Sequence, residues 1–99
     1  MKSKNAIQIE FEQVLIQAQN LENSADELND IRKKINELVS NLSEGWKGEN
    51  AEAYLKKCSE LSEKINISRN DLHKTAGVIR KSAKAYRDAE LASIRVTQN

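Results

Sequence analysis

Apolar residues recur through the first half of the chain in steps of four and three: Ile7, Phe11, Val14, Ala18, Leu21, Ala25 and Leu28. Such alternation keeps one face of a helix apolar and makes a heptad seam. The pattern runs on through Ile31, Ile35, Leu38 and Leu42. Ala25, Leu28 and Ile31 are spaced three and three, a stammer that shifts the stripe near Leu28. The first predicted helix therefore spans residues 7–42. In the second half one strong residue returns every seven positions: Cys58, Ile65, Leu72, Ile79 and Tyr86. Its companions begin with Tyr54 and Leu61 and decline to Ser68, Thr75 and Ser82, while the neighbouring row offers only Ala76 and Ala83. The second predicted helix spans residues 49–94, with a seam that thins toward its end.

The segment between them, residues 43–48, reads Ser-Glu-Gly-Trp-Lys-Gly. Gly45 suits the left-handed residue that closes a helix, and Gly48 is a tolerable N-cap for the next. Glu49 and Glu52 fall in the first turn of the second helix, where carboxylates complement the helix dipole. So short a connection predicts antiparallel neighbours. At about 1.5 Å per residue the helices are roughly 54 and 69 Å long. Folding at Trp46 then sets Ile7 opposite a point near Tyr86 and leaves residues after about Asp88 overhanging. Residues 95–99, ending Thr97-Gln98-Asn99, fit a frayed tail. The expectation is one all-α domain, an antiparallel two-helix hairpin. A single layer of two helices covers each seam by half, so two hairpins are expected to dimerise into a four-helix bundle. Ile9 and Ile16 lie off the seam on the outer face.

Composition sharpens this picture. The 99 residues contain no proline, which suits long uninterrupted helices. Sixteen basic and fifteen acidic residues nearly cancel, without the basic stripe of a nucleic-acid binder. No stretch approaches the roughly 18 apolar residues of a membrane span, and the polar residues Gln8, Glu10, Glu12 and Gln13 interrupt the apolar core a signal peptide needs. The chain is thus expected to be made in the cytoplasm without a Sec-type signal or stable membrane insertion. Cys58, the single cysteine, cannot pair within the chain and reads as a small buried hydrophobe.

An active site needs convergent titratable groups. His73 is the only histidine, and fifteen residues separate it from Cys58 along one straight helix. There is no zinc-ligand spacing and no glycine-rich phosphate loop. The reading is a protein that is not an enzyme and carries no cofactor or metal. Two features remain. Trp46-Lys47-Gly48 puts the only tryptophan in the turn, where its indole staples the helices while part of the ring stays free to anchor a partner. Tyr86 and Glu90, four apart, share one helix face late in the chain.

With about one hundred residues, two helices, W-x-G in the central turn and Y-x-x-x-E late in the second helix, the whole chain resembles the WXG family. These ESAT-like proteins are small helical-hairpin substrates of type VII secretion. The resemblance implies a homo- or heterodimer exported folded through a membrane-embedded secretion ATPase, with both motifs together forming the signal. Trp46 and Tyr86 are roughly 60 Å apart along a straight helix. In an antiparallel pair of hairpins, the turn of one chain would approach the tail of the other, so the signal would be complete only in the dimer. A chain carrying both motifs fits a secreted homodimer. Its rivals are an adaptor that pairs with the helical N-terminal region of a larger secreted toxin and a cytoplasmic coiled-coil scaffold.

Overall fold

Ser3 starts the first helix. Its hydroxyl oxygen accepts a hydrogen bond from the Ala6 amide at 3.1 Å, and its carbonyl accepts one from the Ile7 amide at 3.1 Å, the bonding of an N-cap. The computed structural model describes the backbone of residues 2–98 and the side chains of residues 2–96. Both elements are α-helices, α1 (Lys4–Gly45) and α2 (Glu49–Gln98), and the described residues form no strand. α1 begins three residues before the expected start because Ser3 caps it, and it runs three past the expected end. α2 continues to Gln98 where a frayed tail was expected from residue 95; Asn99 lies outside the described residues.

Packing divides the chain into two compact units: Asn23–Leu72, and the residues before Asn23 together with those after Leu72. The first, the turn unit, is an antiparallel helical hairpin. Ala25 and Ala51 are fully buried, and the Ser62 hydroxyl, also buried, donates to Asn36 Oδ1 at 2.8 Å across the pair. That bond satisfies a polar group in the seam and so removes most of its burial penalty. Arg32 and Arg69, both half-buried, each donate to the asparagine three residues earlier, Asn29 and Asn66. The turn unit therefore closes on small and polar residues flanked by Leu28, Ile35, Val39, Leu42, Leu55 and Ile65, all half-buried.

The terminal unit is likewise an antiparallel pair. Arg80 joins α2 to Glu22 through a close ion pair and reaches Gln19 at 3.4 Å. Further along, the Arg87 guanidinium lies 4.2 Å from the centre of the Phe11 ring. Ile7, Ala18, Ala76 and Ile94 make its buried core. Phe11 packs against Arg87 rather than against Lys81, its partner under symmetrical folding at Trp46, a displacement along α2 of nearly two helical turns. Consequently Ile94, expected to overhang, is only 4% exposed.

The inward row differs from the expected seam by one residue at several places. In α1, Leu15 and Val39 are half-buried, while Val14, Ile31 and Leu38 are exposed. In α2 the companions of Cys58, Ile65, Leu72 and Ile79 are Leu55, Ser62, Arg69, Ala76 and Ala83. Tyr54 and Leu61 face outward, Leu61 at 51% exposure. Small side chains allow two helix backbones to approach closely, so the alanine row lies inside and the larger row outside. The step through Ile31 that implied a stammer is therefore not on the buried stripe. Phe11, Leu21, Leu28 and Ile35 are half-buried, as are Cys58, Ile65, Leu72 and Ile79. Ile9 and Ile16 are exposed.

Candidate functional site

The W-x-G segment belongs to the turn unit. α1 ends at Gly45, and the Trp46 amide still donates to the Leu42 carbonyl at 2.8 Å. Gly45 is thus the last helical residue and not a left-handed cap; among the described residues only Gly48 has a positive φ, 110°. The Gly48 carbonyl accepts the Glu52 amide at 3.0 Å, opening α2. A Cβ at Gly48 would meet nothing within 4 Å, so the demand for glycine is torsional rather than steric. Lys47 Nζ donates to the Ser43 carbonyl at 3.2 Å, placing a cation on the carbonyl end of α1, where the dipole favours it.

With its backbone set this way, Trp46 lays its indole beside Tyr54. The ring centres are 5.4 Å apart and the planes tilt by 54°, within the range of favourable aromatic pairs. Both rings stay open, Trp46 at 41% exposure. The indole packs on one neighbour and presents its remaining surface outward. Tyr54, expected in the seam, instead supports Trp46. Its position one turn into the second helix was the available signal, since aromatic residues are sparse in this chain.

The Tyr86-x-x-x-Glu90 segment belongs to the terminal unit. Tyr86 is 53% exposed. Lys2 Nζ donates to Glu10 Oε2 at 2.8 Å and to the Tyr86 hydroxyl at 3.4 Å, and it stands 5.5 Å from the centre of the Tyr86 ring. The Glu10 carboxylate first, and then the Tyr86 hydroxyl, hold the Lys2 ammonium above the ordinary lysine range. Arg87 points the other way, onto Phe11, with Nε and Nη2 both donating to Asp88 Oδ1 at 3.1 Å. Its aliphatic stem and planar head therefore belong to packing as much as to surface charge. Glu90 is half-buried, and no ion pair or side-chain hydrogen bond joins its carboxylate to the described residues. Beside Tyr86 a small cleft of about 100 Å³ is lined by Ile7, Glu10, Phe11, Val14, Ala83 and Arg87.

Trp46-Lys47-Gly48 and Tyr86 with Glu90 thus lie in different units of the chain. Each pairs an exposed aromatic ring with a defined local support. Among the described residues no group of three or more His, Cys, Asp or Glu could hold a metal ion, and Cys58 is a half-buried free thiol. No helix among them is long and apolar enough to cross a membrane. Residues 6–91 match the family model described as WXG100, proteins of 100 residues with WXG. No curated protein and no solved structure matches the chain.

Proposed function

The chain belongs to the WXG100 family, whose members are small secreted helical proteins of type VII secretion, and we propose that it is a substrate exported as a folded homodimer on a signal made of Trp46-Lys47-Gly48 and Tyr86-x-x-x-Glu90. The observation that carries this reading is the state of the second motif. Tyr86 offers half of its surface, and Glu90, one turn on, is half-buried without a cation. Tyr86 and Glu90 share one helix face, so an exposed ring and an unpaired carboxylate are presented together to a partner that can donate hydrogen bonds to the acid.

Two features favour a dimer. Val14, Leu38, Tyr54 and Leu61 are large apolar side chains left exposed beside the inner stripe, the kind of surface a second hairpin covers. The units also differ in charge. The terminal unit has eight basic and five acidic residues, and the turn unit eight basic and ten acidic. Turn-to-tail association of two copies sets unlike charges together, whereas tail-to-tail association sets like charges together. In that arrangement the W-x-G of one chain and the Tyr86 and Glu90 of the other complete one signal.

The test is export of Tyr86→Ala and Glu90→Ala from a host with a working type VII system, beside Lys84→Ala as an exposed control. Arg87→Ala is unsuitable as a control because Arg87 stacks on Phe11. Glu90→Ala should sediment as a dimer, melt close to wild type and stay in the cell, while Lys84→Ala reaches the medium. Secretion of both motif variants at wild-type levels would remove the signal from the reading.

A further inference from the structure

The first residues of the chain reach the second motif. Ser3 ends the helical path of α1 by capping it, so Lys2 precedes the helix and its side chain is free of helical packing. Glu10 lies two turns into α1, and helical side chains lean toward the N-terminus. The Glu10 carboxylate therefore reaches back and meets the Lys2 ammonium at 2.8 Å. That ammonium also contacts the Tyr86 hydroxyl at 3.4 Å and faces its ring at 5.5 Å. Two of the three contacts of this cation fall on the one tyrosine of the export motif, and its acidic anchor, Glu10, also borders the cleft beside that ring. An exposed Lys–Glu pair by itself contributes little to stability, so the arrangement acts on the ring it holds rather than on the fold.

We propose that Lys2 and Glu10 are positioning residues of the export signal: the Glu10-anchored Lys2 ammonium holds the Tyr86 ring and hydroxyl in one orientation, ready for the secretion machine. This inference rests on the export reading of Tyr86. Its physical basis is preorganisation. A half-exposed tyrosine free to change rotamer must be ordered when a partner binds, and holding it beforehand removes part of that cost. The expected effect of releasing the ring is a loss of about twofold to fivefold in recognition, the range of a weak exposed interaction converted to an equilibrium ratio.

The experiment compares Lys2→Met, Lys2→Arg and Glu10→Gln with wild type in the full-length chain, with Tyr86→Ala as reference. Three quantities are measured: the amount secreted, the melting temperature, and the NMR signals of the Tyr86 ring. Lys2→Met and Glu10→Gln should move the ring signals toward those of a freely rotating tyrosine and lower secretion by about twofold to fivefold. Their melting temperatures should stay at the wild-type value. Lys2→Arg keeps a cation within reach of both partners and should restore secretion and the ring signals. If Lys2→Met leaves the ring signals unchanged, the positioning role is wrong regardless of export. If the ring is released but secretion stays at wild-type level while Tyr86→Ala is retained, the motif stands and the role of Lys2 falls. If Tyr86→Ala is itself secreted normally, the export reading of Tyr86 fails, and this inference with it.

Discussion

Replacing Ile7 by alanine is the sharpest test of where the core of the terminal unit lies. Ile7 is 2% exposed, and Ile9, on the same helix, is 54% exposed. The substitution removes three side-chain carbons at either site and changes helix propensity equally, so the difference between the variants isolates burial. At about 0.8 kcal/mol per buried methylene, Ile7→Ala forfeits about 2.4 kcal/mol, and any cavity left behind adds to it. Ile7 sits near the start of α1, within one turn of Lys4, where the surroundings can close in. The expected total is therefore about 2–3.5 kcal/mol, the lower half of the usual range for this change. In a chain of this length that corresponds to a fall in melting temperature of about 8–28 °C. Ile9→Ala should cost less than about 1 kcal/mol. Thermal and urea melts followed by helical circular dichroism measure both, at one protein concentration because dimerisation contributes to apparent stability. An Ile9→Ala variant as damaged as Ile7→Ala, or an Ile7→Ala variant within about 0.5 kcal/mol of wild type, would refute the burial assignment.

Two glycines of the turn should respond with opposite signs. Gly48→Ala should destabilise by about 1–2 kcal/mol, because an L side chain at φ 110° is strained although space is available, whereas Gly45→Ala, at the end of a helix, should stabilise by up to about 1 kcal/mol; urea melts of the pair decide it. The hydrogen bond from Arg80 holds the Glu22 carboxyl below the ordinary glutamate range, with the Arg80 and His73 charges acting in the same direction. Its stabilising effect is therefore complete above the unfolded value of about 4.3 and fades as pH falls through the lower folded value. Glu22→Gln should lose stability relative to wild type at pH 7 and converge with it near pH 2; a gap that persists at low pH would contradict the pairing.

The two helices were legible because nothing in the chain breaks them: no proline, and apolar steps of four and three for most of its length. The turn was legible from Trp46-Lys47-Gly48, and the positive φ at Gly48 explains why that glycine is there. The inner face was harder to read. Val14, Leu21, Leu28, Ile35 and Leu42 repeat every seven residues as cleanly as any buried row, yet Val14 is exposed while its neighbour Leu15 turns inward. Ranking rows by apolar size favoured Tyr54 and Leu61 over Leu55, Ser62, Ala76 and Ala83. Close packing favours the small row, and Ser62 joins it only because Asn36 accepts its hydrogen bond, a pairing across helices that no spacing along the chain reveals. For the same reason the support of Tyr86 by Lys2, 84 positions away, and the stacking of Arg87 on Phe11 emerged only from the fold. Ser3 was readable in principle, as a serine just ahead of a helical pattern, and it moved the start of α1 to Lys4.

The central claim is that this chain leaves the cell by the type VII route, and secretion from two isogenic hosts tests it most directly. One host has an intact type VII system, and in the other the membrane ATPase is inactivated at its nucleotide site. A cytoplasmic protein assayed in both media controls for lysis. Wild-type chain should appear in the medium of the intact host and be retained, at equal cellular abundance, in the ATPase-deficient one. Equal amounts in both media, or retention in both, would contradict that claim and return the chain to the reading of a helical scaffold that stays inside the cell.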